Sequence, residues 1–305
     1  MTTATTDLLA SASQTLQALG AHYDADMQQV YSAAGLERQH FGLLVILYGA
    51  DPEPILTTQV QRRAPYLTLR QIEARLESGA SQGFFEPTAG RAYRLTDKGR
   101  RTLKDALQAA WRRLATLELL PPQDMQRLAG LLKRVVESSL AAPEPAEKLS
   151  LVNSRRIDPG EGAPVAARID QYLTDLLWFR DDVHPASWRR YGVDGPAWEI
   201  FSSIWRAEAD SLDSLQTRLA GRGHAPEVYT ASLDSLARRG WIAEQDGTYS
   251  ATEQGAALRR EAEETTDRLY YAPWACLNDS ETEELFGLLA RLRDRLGQIS
   301  SEHTG

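Results

Sequence analysis

The chain repeats itself. YRLTDKGRRTL at 93–103 returns as YSATEQGAAL at 249–258, and MQRLAGLLKRV at 125–135 returns as EELFGLLARL at 283–292. The shift is 156 residues for the first pair and 157 for other landmarks: Gly35 answers to Gly192, Gly83 to Gly240 and Leu128 to Leu285. A period this long is a whole folding unit, so the chain is expected to hold two fused copies of one fold. Two such copies can mimic a symmetric dimer. The 305 residues are enough for two units with ordinary cores. The expected divisions are a first unit at 1–140, a linker rich in Pro, Glu and Gly at 141–164, and a second unit at 165–305.

Apolar spacing sketches the elements. Leu8, Leu16, Leu19, Met27 and Val30 predict a helix over 7–34, interrupted or bent near Gly20. A short helix carries Phe41, Leu44, Val45 and Leu47, and a turn follows at ADPEP. Further helices are expected over 57–63 and about 68–82, the latter burying Ile72, Leu76 and Ala80. FFEPTAGRAYRLT reads as strand, turn and strand around Ala89-Gly90. A long helix begins near Asp97, and a last one follows Leu120-Pro121-Pro122. The second half reads alike, with helices at 166–183, 196–207, 212–219 and 226–239. Its hairpin at 241–252 is one residue shorter than the first, and two helices close the chain. The predicted class is mainly α with two small β-hairpin wings.

This order is that of a winged helix-turn-helix flanked by dimerising helices. The motifs are Gly35-Leu36 before the second helix, Gly83-Phe84-Phe85 opening the wing, Leu95-Thr96-Asp97-Lys98-Gly99-Arg100 closing it, and a tail through Leu120, Leu128, Leu131 and Leu132. The second half matches with Gly192-Val193, Gly240-Trp241-Ile242, Thr252-Glu253-Gln254-Gly255, and Leu277 with Leu285, Leu288 and Leu289. On these residues each half resembles the MarR family of transcriptional regulators, over nearly the whole chain apart from the linker. The resemblance implies terminal helices that form a dimer interface and two wings that straddle double-stranded DNA. In one chain it implies a tandem winged helix-turn-helix, a monomeric pseudo-dimer with pseudo-twofold symmetry. Both wings are shorter than is usual in that family and lack its Asp-Arg-Arg; Arg91 and Arg94 are the residues able to stand in.

Local charge favours the first unit as the DNA-binding one. The chain carries a formal −8, yet residues 55–101 hold nine basic side chains against four acidic. Charges beyond roughly 8 Å are largely screened at physiological salt, so the local balance decides. Arg70, Gln71 and Arg75 are expected to read base edges, since Arg pairs with guanine and Gln with adenine. Arg62, Arg63, Arg91 and Arg94 are expected to hold phosphates. In the second unit Glu227, Val228 and Ser232 replace Arg70, Gln71 and Arg75, and residues 211–260 balance six basic against six acidic side chains. A glutamate facing phosphates repels them, so DNA contact is expected mainly through the first unit.

Six of the seven tryptophans lie in the second half. Trp198 and Trp205 occupy the places of Phe41 and Tyr48 and are read as core. Trp178, Trp188 and Trp274 come from helices that, in the resembled family, border a small-molecule pocket. They are the candidate walls for a small aromatic ligand, the other reading being a bulky core. Asp181, Asp182 and His184 are read as solvated surface rather than as a metal site, and Cys276 as a buried inert thiol. With one cysteine there is no internal disulfide. No catalytic constellation, cofactor motif, bilayer-spanning run or secretory signal is found. The expectation is a cytoplasmic, ligand-responsive DNA-binding transcriptional regulator, a repressor acting as a single-chain pseudo-dimer. The alternative is a binding module that kept the fold and lost DNA affinity.

Overall fold

The computed structural model describes residues 3–302. Its first unit runs α1 (Thr3–Ala34), α2 (Phe41–Tyr48), β1 (Ile55–Leu56), α3 (Thr57–Arg63), α4 (Leu69–Ser81), β2 (Phe85–Thr88), β3 (Ala92–Leu95), α5 (Asp97–Ala115) and α6 (Pro122–Ala141). After α7 (Leu149–Arg155) comes the second unit: α8 (Val165–Trp188), α9 (Gly195–Trp205), α10 (Leu212–Arg218), α11 (Pro226–Arg238), β4 (Ile242–Gln245), β5 (Thr248–Ala251), α12 (Glu253–Tyr271) and α13 (Asp279–Glu302). The protein is mainly helical with two small antiparallel sheets, a winged-helix arrangement.

The same local chemistry shapes both units. Thr96 accepts from the Gly99 amide (3.1 Å) and donates to the Gly83 carbonyl (2.7 Å), capping α5 while closing the wing on it. Thr252 does the same with Gly255 (3.0 Å) and Gly240 (2.6 Å). Gly99 and Gly255 allow the helix to approach the strand. A Cβ on Gly99 would lie 2.5 Å from the Phe84 carbonyl oxygen, and one on Gly255 2.1 Å from that of Trp241. Gly83 and Gly240, at φ 78° and 72°, make the left-handed step out of α4 and α11. The shorter second hairpin turns on Asp246 and Gly247, both at positive φ, as a two-residue turn requires.

Several elements differ from the sequence expectation. Helix α1 runs unbroken through Gly20: one interior glycine costs only about 1 kcal/mol, which packing against α5 and α13 outweighs. The first sheet has three strands because β1 pairs with β3; in the second, a single bond from the Tyr249 amide to the Asp210 carbonyl (2.6 Å) takes that place. The segment 141–164 is not a loose connector. Helix α7 buries Leu151, Asn153 and Ser154, and Asn153 Nδ2 donates to the Val45 carbonyl (2.8 Å). The wholly buried Asp175 on α8 accepts from Ser154 Oγ (2.6 Å), Arg155 Nη1 (2.7 Å) and Gln171 Nε2 (2.8 Å), which locks α7 down.

Helices from both halves build one shared base. Helix α1 packs on α13 and α8 on α6, so each unit's first helix meets the other unit's last. Leu19, Leu128, Leu132, Leu173, Leu176, Leu285 and Leu289 all lie in this core and are fully buried. Each winged unit keeps a smaller core, around Leu44, Ile72, Leu76 and Phe84 in the first and Trp198, Phe201, Leu233 and Leu236 in the second.

Candidate nucleic-acid interface

Helix α4 holds the place expected for a recognition element, following α3 and preceding the wing. Its start is fixed by a capping box: Thr68 Oγ1 accepts from the Gln71 amide (3.3 Å), and Gln71 Oε1 accepts from the Thr68 amide (2.8 Å). Ile72, Leu76 and Gly79 face the core. Gly79 is part of that fit, since a Cβ there would fall 2.2 Å from the Phe85 ring.

The seven residues expected to touch DNA do not act as one surface. Arg70 is exposed and, among the described residues, makes no hydrogen bond or ion pair. Arg62 is exposed, with a loose contact to Glu147 at 3.7 Å. Arg91 projects from the wing tip and reaches Glu73 on α4 (3.3 Å). Arg94 pairs across the hairpin with Glu86 (3.0 Å), the residue opposite it in register. Such exposed pairs are worth little and can be exchanged for phosphate. The other three turn inward. Arg63 is half-buried with Nη1 lacking an acceptor, Arg75 is half-buried, and burial pushes both guanidinium pKa values down.

Gln71 departs furthest from its expected role. Besides capping α4, its Nε2 donates to the Arg222 carbonyl of the second unit, and its Oε1 faces His224 Nδ1 (3.1 Å). In this arrangement the amide is not free to read adenine. The two helix-turn-helix units press together along this seam. Gly195 approaches so closely that a Cβ there would stand 1.8 Å from the Pro65 carbonyl oxygen. Tyr66 packs against Trp188 (6.3 Å between centroids) and the Arg222 guanidinium (5.4 Å), and Arg189 donates to the Arg62 carbonyl (3.0 Å). Sequence reasoning missed this seam because its residues, Pro65, Tyr66, Gly195 and Arg222, match no motif and meet only in three dimensions.

The tryptophans divide among three environments. Trp178 lines a cavity of about 560 Å³, together with Tyr23, Tyr31, Phe41 and Trp111 of the first unit. Trp188 is buried and stacked on Trp198 at 5.6 Å. Trp274 sits in the helical base against Tyr270 and Tyr271. The three candidate ligand walls therefore do not converge, and most aromatic surface of the cavity comes from the tryptophan-poor half. Tyr23 Oη donates to Asp170 (3.2 Å) at its edge, and burial raises the Asp170 carboxyl to about 7.

Asp182 and His184 are not solvated surface. Asp182 accepts from the Ser150 and Leu151 amides (2.8 and 2.9 Å), capping α7. His184 receives the Trp198 indole N–H at Nε2 and faces Thr266 Oγ1 with Nδ1, both at 3.4 Å. Burial, with Arg180, Arg259 and Arg206 nearby, lowers its pKa to about 4 and keeps the ring neutral. Cys276 is half-buried, and burial pushes its thiol pKa up. No helix among the described residues is long and apolar enough to cross a membrane.

Residues 97–300 match the sequence model of a helix-turn-helix family. The matched span holds α5 and α6 of the first unit, α7, and the second winged unit as far as residue 300 in α13. No curated protein and no solved structure matches the chain.

Proposed function

The chain belongs to this helix-turn-helix family, which places it at a coarse level among DNA-binding regulators, and on that premise we propose that it is a ligand-responsive repressor built from two fused MarR-like units. The observation that carries the reading is the recurrence of one element order, with left-handed glycines at a shift of 157 residues and helix caps at 156. The first unit supplies the DNA grip. Arg70 stands exposed and uncommitted on α4, whereas its counterpart on α11 is Glu227. A protein that reads two half-sites sets its recognition helices about 34 Å apart; here the start of α4 touches the turn before α11. An asymmetric, single-groove contact, or a parting of the units on binding, follows. The ligand would enter the cavity beside Trp178, where a planar apolar body meets aromatic walls and the Tyr23–Asp170 pair.

The test is binding to duplexes selected from a random pool, measured by fluorescence anisotropy across a salt series. Log affinity should fall steeply with log salt, and Arg70→Ala and Arg62→Ala should each reduce the slope by about 1. No binding to any duplex at low ionic strength overturns the regulator reading. The second reading, a binding module without DNA affinity, draws its support from Gln71, whose amide is spent on the other unit.

A further inference from the structure

Each unit carries a cavity at the same place in its fold, and the second has exchanged its chemistry. Tyr23, Met27, Val45 and Leu107 line the first. The residues in register with them, Arg180, His184, Ser202 and Glu263, line the second, which measures about 540 Å³. Its far wall is the helix-turn-helix of the other unit, through residues 63–67 and Arg75.

Six arginines face this space against three carboxylates, Asp181, Glu199 and Glu263. Two of the three are committed. Arg222 grips Glu199 through Nε (2.9 Å), and Glu263 is held by Arg259, with Arg180 at 4.0 Å. His184, neutral, contributes no charge. The side chains of Arg75 and Arg206 make no ion pair or hydrogen bond among the described residues. The site is positive after its internal pairs are counted.

Two guanidinium donors of arginines lining this cavity are buried without an acceptor: Arg180 Nε and Arg259 Nη2. Arg259 is the firmer of them. Its side chain is 0% exposed, its guanidinium lies between the Trp198 and Trp205 rings at 4.9 and 5.1 Å, and Ser202 Oγ accepts from its Nε at 3.2 Å. Buried donors in native proteins are almost always satisfied, and while Glu263 balances the Arg259 charge, no carboxylate is paired with Arg75 or Arg206 among the described residues. Water can accept the hydrogen bonds but does not balance the charge; an oxyanion does both, and the arginine fork suits it. The volume exceeds what a bare ion needs and falls in the range of organic ligands. Tyr66, Trp198 and Pro185 offer apolar surface for the remainder of such a molecule.

We propose that this cavity binds a small organic oxyanion, bearing phosphate or carboxylate groups, clasped between the two helix-turn-helix units. Arg63, Tyr66 and Arg75 come from one unit and Arg222 and Arg259 from the other, so the bound anion ties them together.

The test uses the full chain without DNA, so its failure leaves the regulator reading where it stood. Adenosine monophosphate, pyrophosphate and citrate are titrated at low ionic strength, following tryptophan fluorescence and melting temperature, with sodium chloride at matched ionic strength as control. At least one probe should bind saturably below millimolar concentration. Citrate against the phosphates distinguishes the two sources of oxyanion. Arg75→Ala and Arg206→Ala, which break no internal pair, should each weaken binding about tenfold while the ligand-free melting temperature stays near that of the parent. Arg101→Ala, outside the cavity, should leave affinity unchanged. No saturable binding by any probe, an effect that sodium chloride reproduces, or affinity unaltered in both cavity variants overturns the proposal.

Discussion

The seam between the two units hangs on Gly195, and Gly195→Ala measures whether it is closed in solution. The added Cβ would sit 1.8 Å from the Pro65 oxygen, 2.5 Å from its carbonyl carbon and 3.1 Å from the Tyr66 nitrogen. All three are backbone atoms, so no side chain can swing aside. Relief demands that the chains part by more than about an ångström, and overpacking of this kind costs about 1–3 kcal/mol. Against this, alanine restricts the unfolded chain and gains about 0.4–1 kcal/mol. The clash wins where the units touch. For a chain of this size about 1 kcal/mol shifts the melting temperature by roughly 2–4 °C, so a fall of about 2–6 °C is expected. Fluorescence should change as well, because Trp188 packs against Tyr66 across the seam. Gly130→Ala is the control: this exposed glycine lies inside α6 with nothing near its missing Cβ. It should gain about 0.8–1 kcal/mol from helix propensity alone. If Gly195→Ala melts at or above the parent temperature, the clash is absent in solution and the closed seam is refuted.

Three further outcomes follow from the geometry. Asp170 has a carboxyl raised by burial from 3.8 to about 7, so the folded protein holds this proton more tightly than the unfolded chain. Its contribution to stability is present at low pH and is lost as pH climbs from about 4 to about 7. Asp170→Asn should therefore gain on the parent over that interval and run parallel above it; denaturation midpoints that stay parallel from pH 4 to 8 would disprove the shift. Asp175→Ala leaves Arg155 without its buried partner. Breaking such a pair costs about 3–5 kcal/mol, and the low end is expected because Arg155 keeps Asp158; protease should then cut within 141–164 far faster than in the parent. Gly49→Ala would place a Cβ 1.1 Å from Asn153 Oδ1, so α7 should loosen from α2 and the melting temperature should drop, whereas an unchanged value would mean that α7 is not seated there.

Local patterning made most elements legible. The 157-residue shift, Thr96 and Thr252 before their glycines, and the apolar row Ile72 and Leu76 act within one helix or one turn. Such signals lie close together along the chain, so α3, α4, the hairpins and the shorter second wing could be read directly. Helix α7 was hidden because its composition is that of a linker, and its burial depends on Asp175 and Asp182, some 20 to 30 residues away.

The site was only half legible, for the same reason. Arginines on a recognition helix are visible in one dimension, but whether each faces solvent, a carboxylate or a second unit is not. Sequence alone determined that the chain carries two winged-helix patterns and that positive charge gathers in the first. Tertiary structure alone decided that Gln71 bonds across a seam, that Trp178, Trp188 and Trp274 stand apart, and that six arginines ring one cavity. Periodicity and capping are short-range, while burial, pairing and desolvation depend on neighbours that only folding brings together.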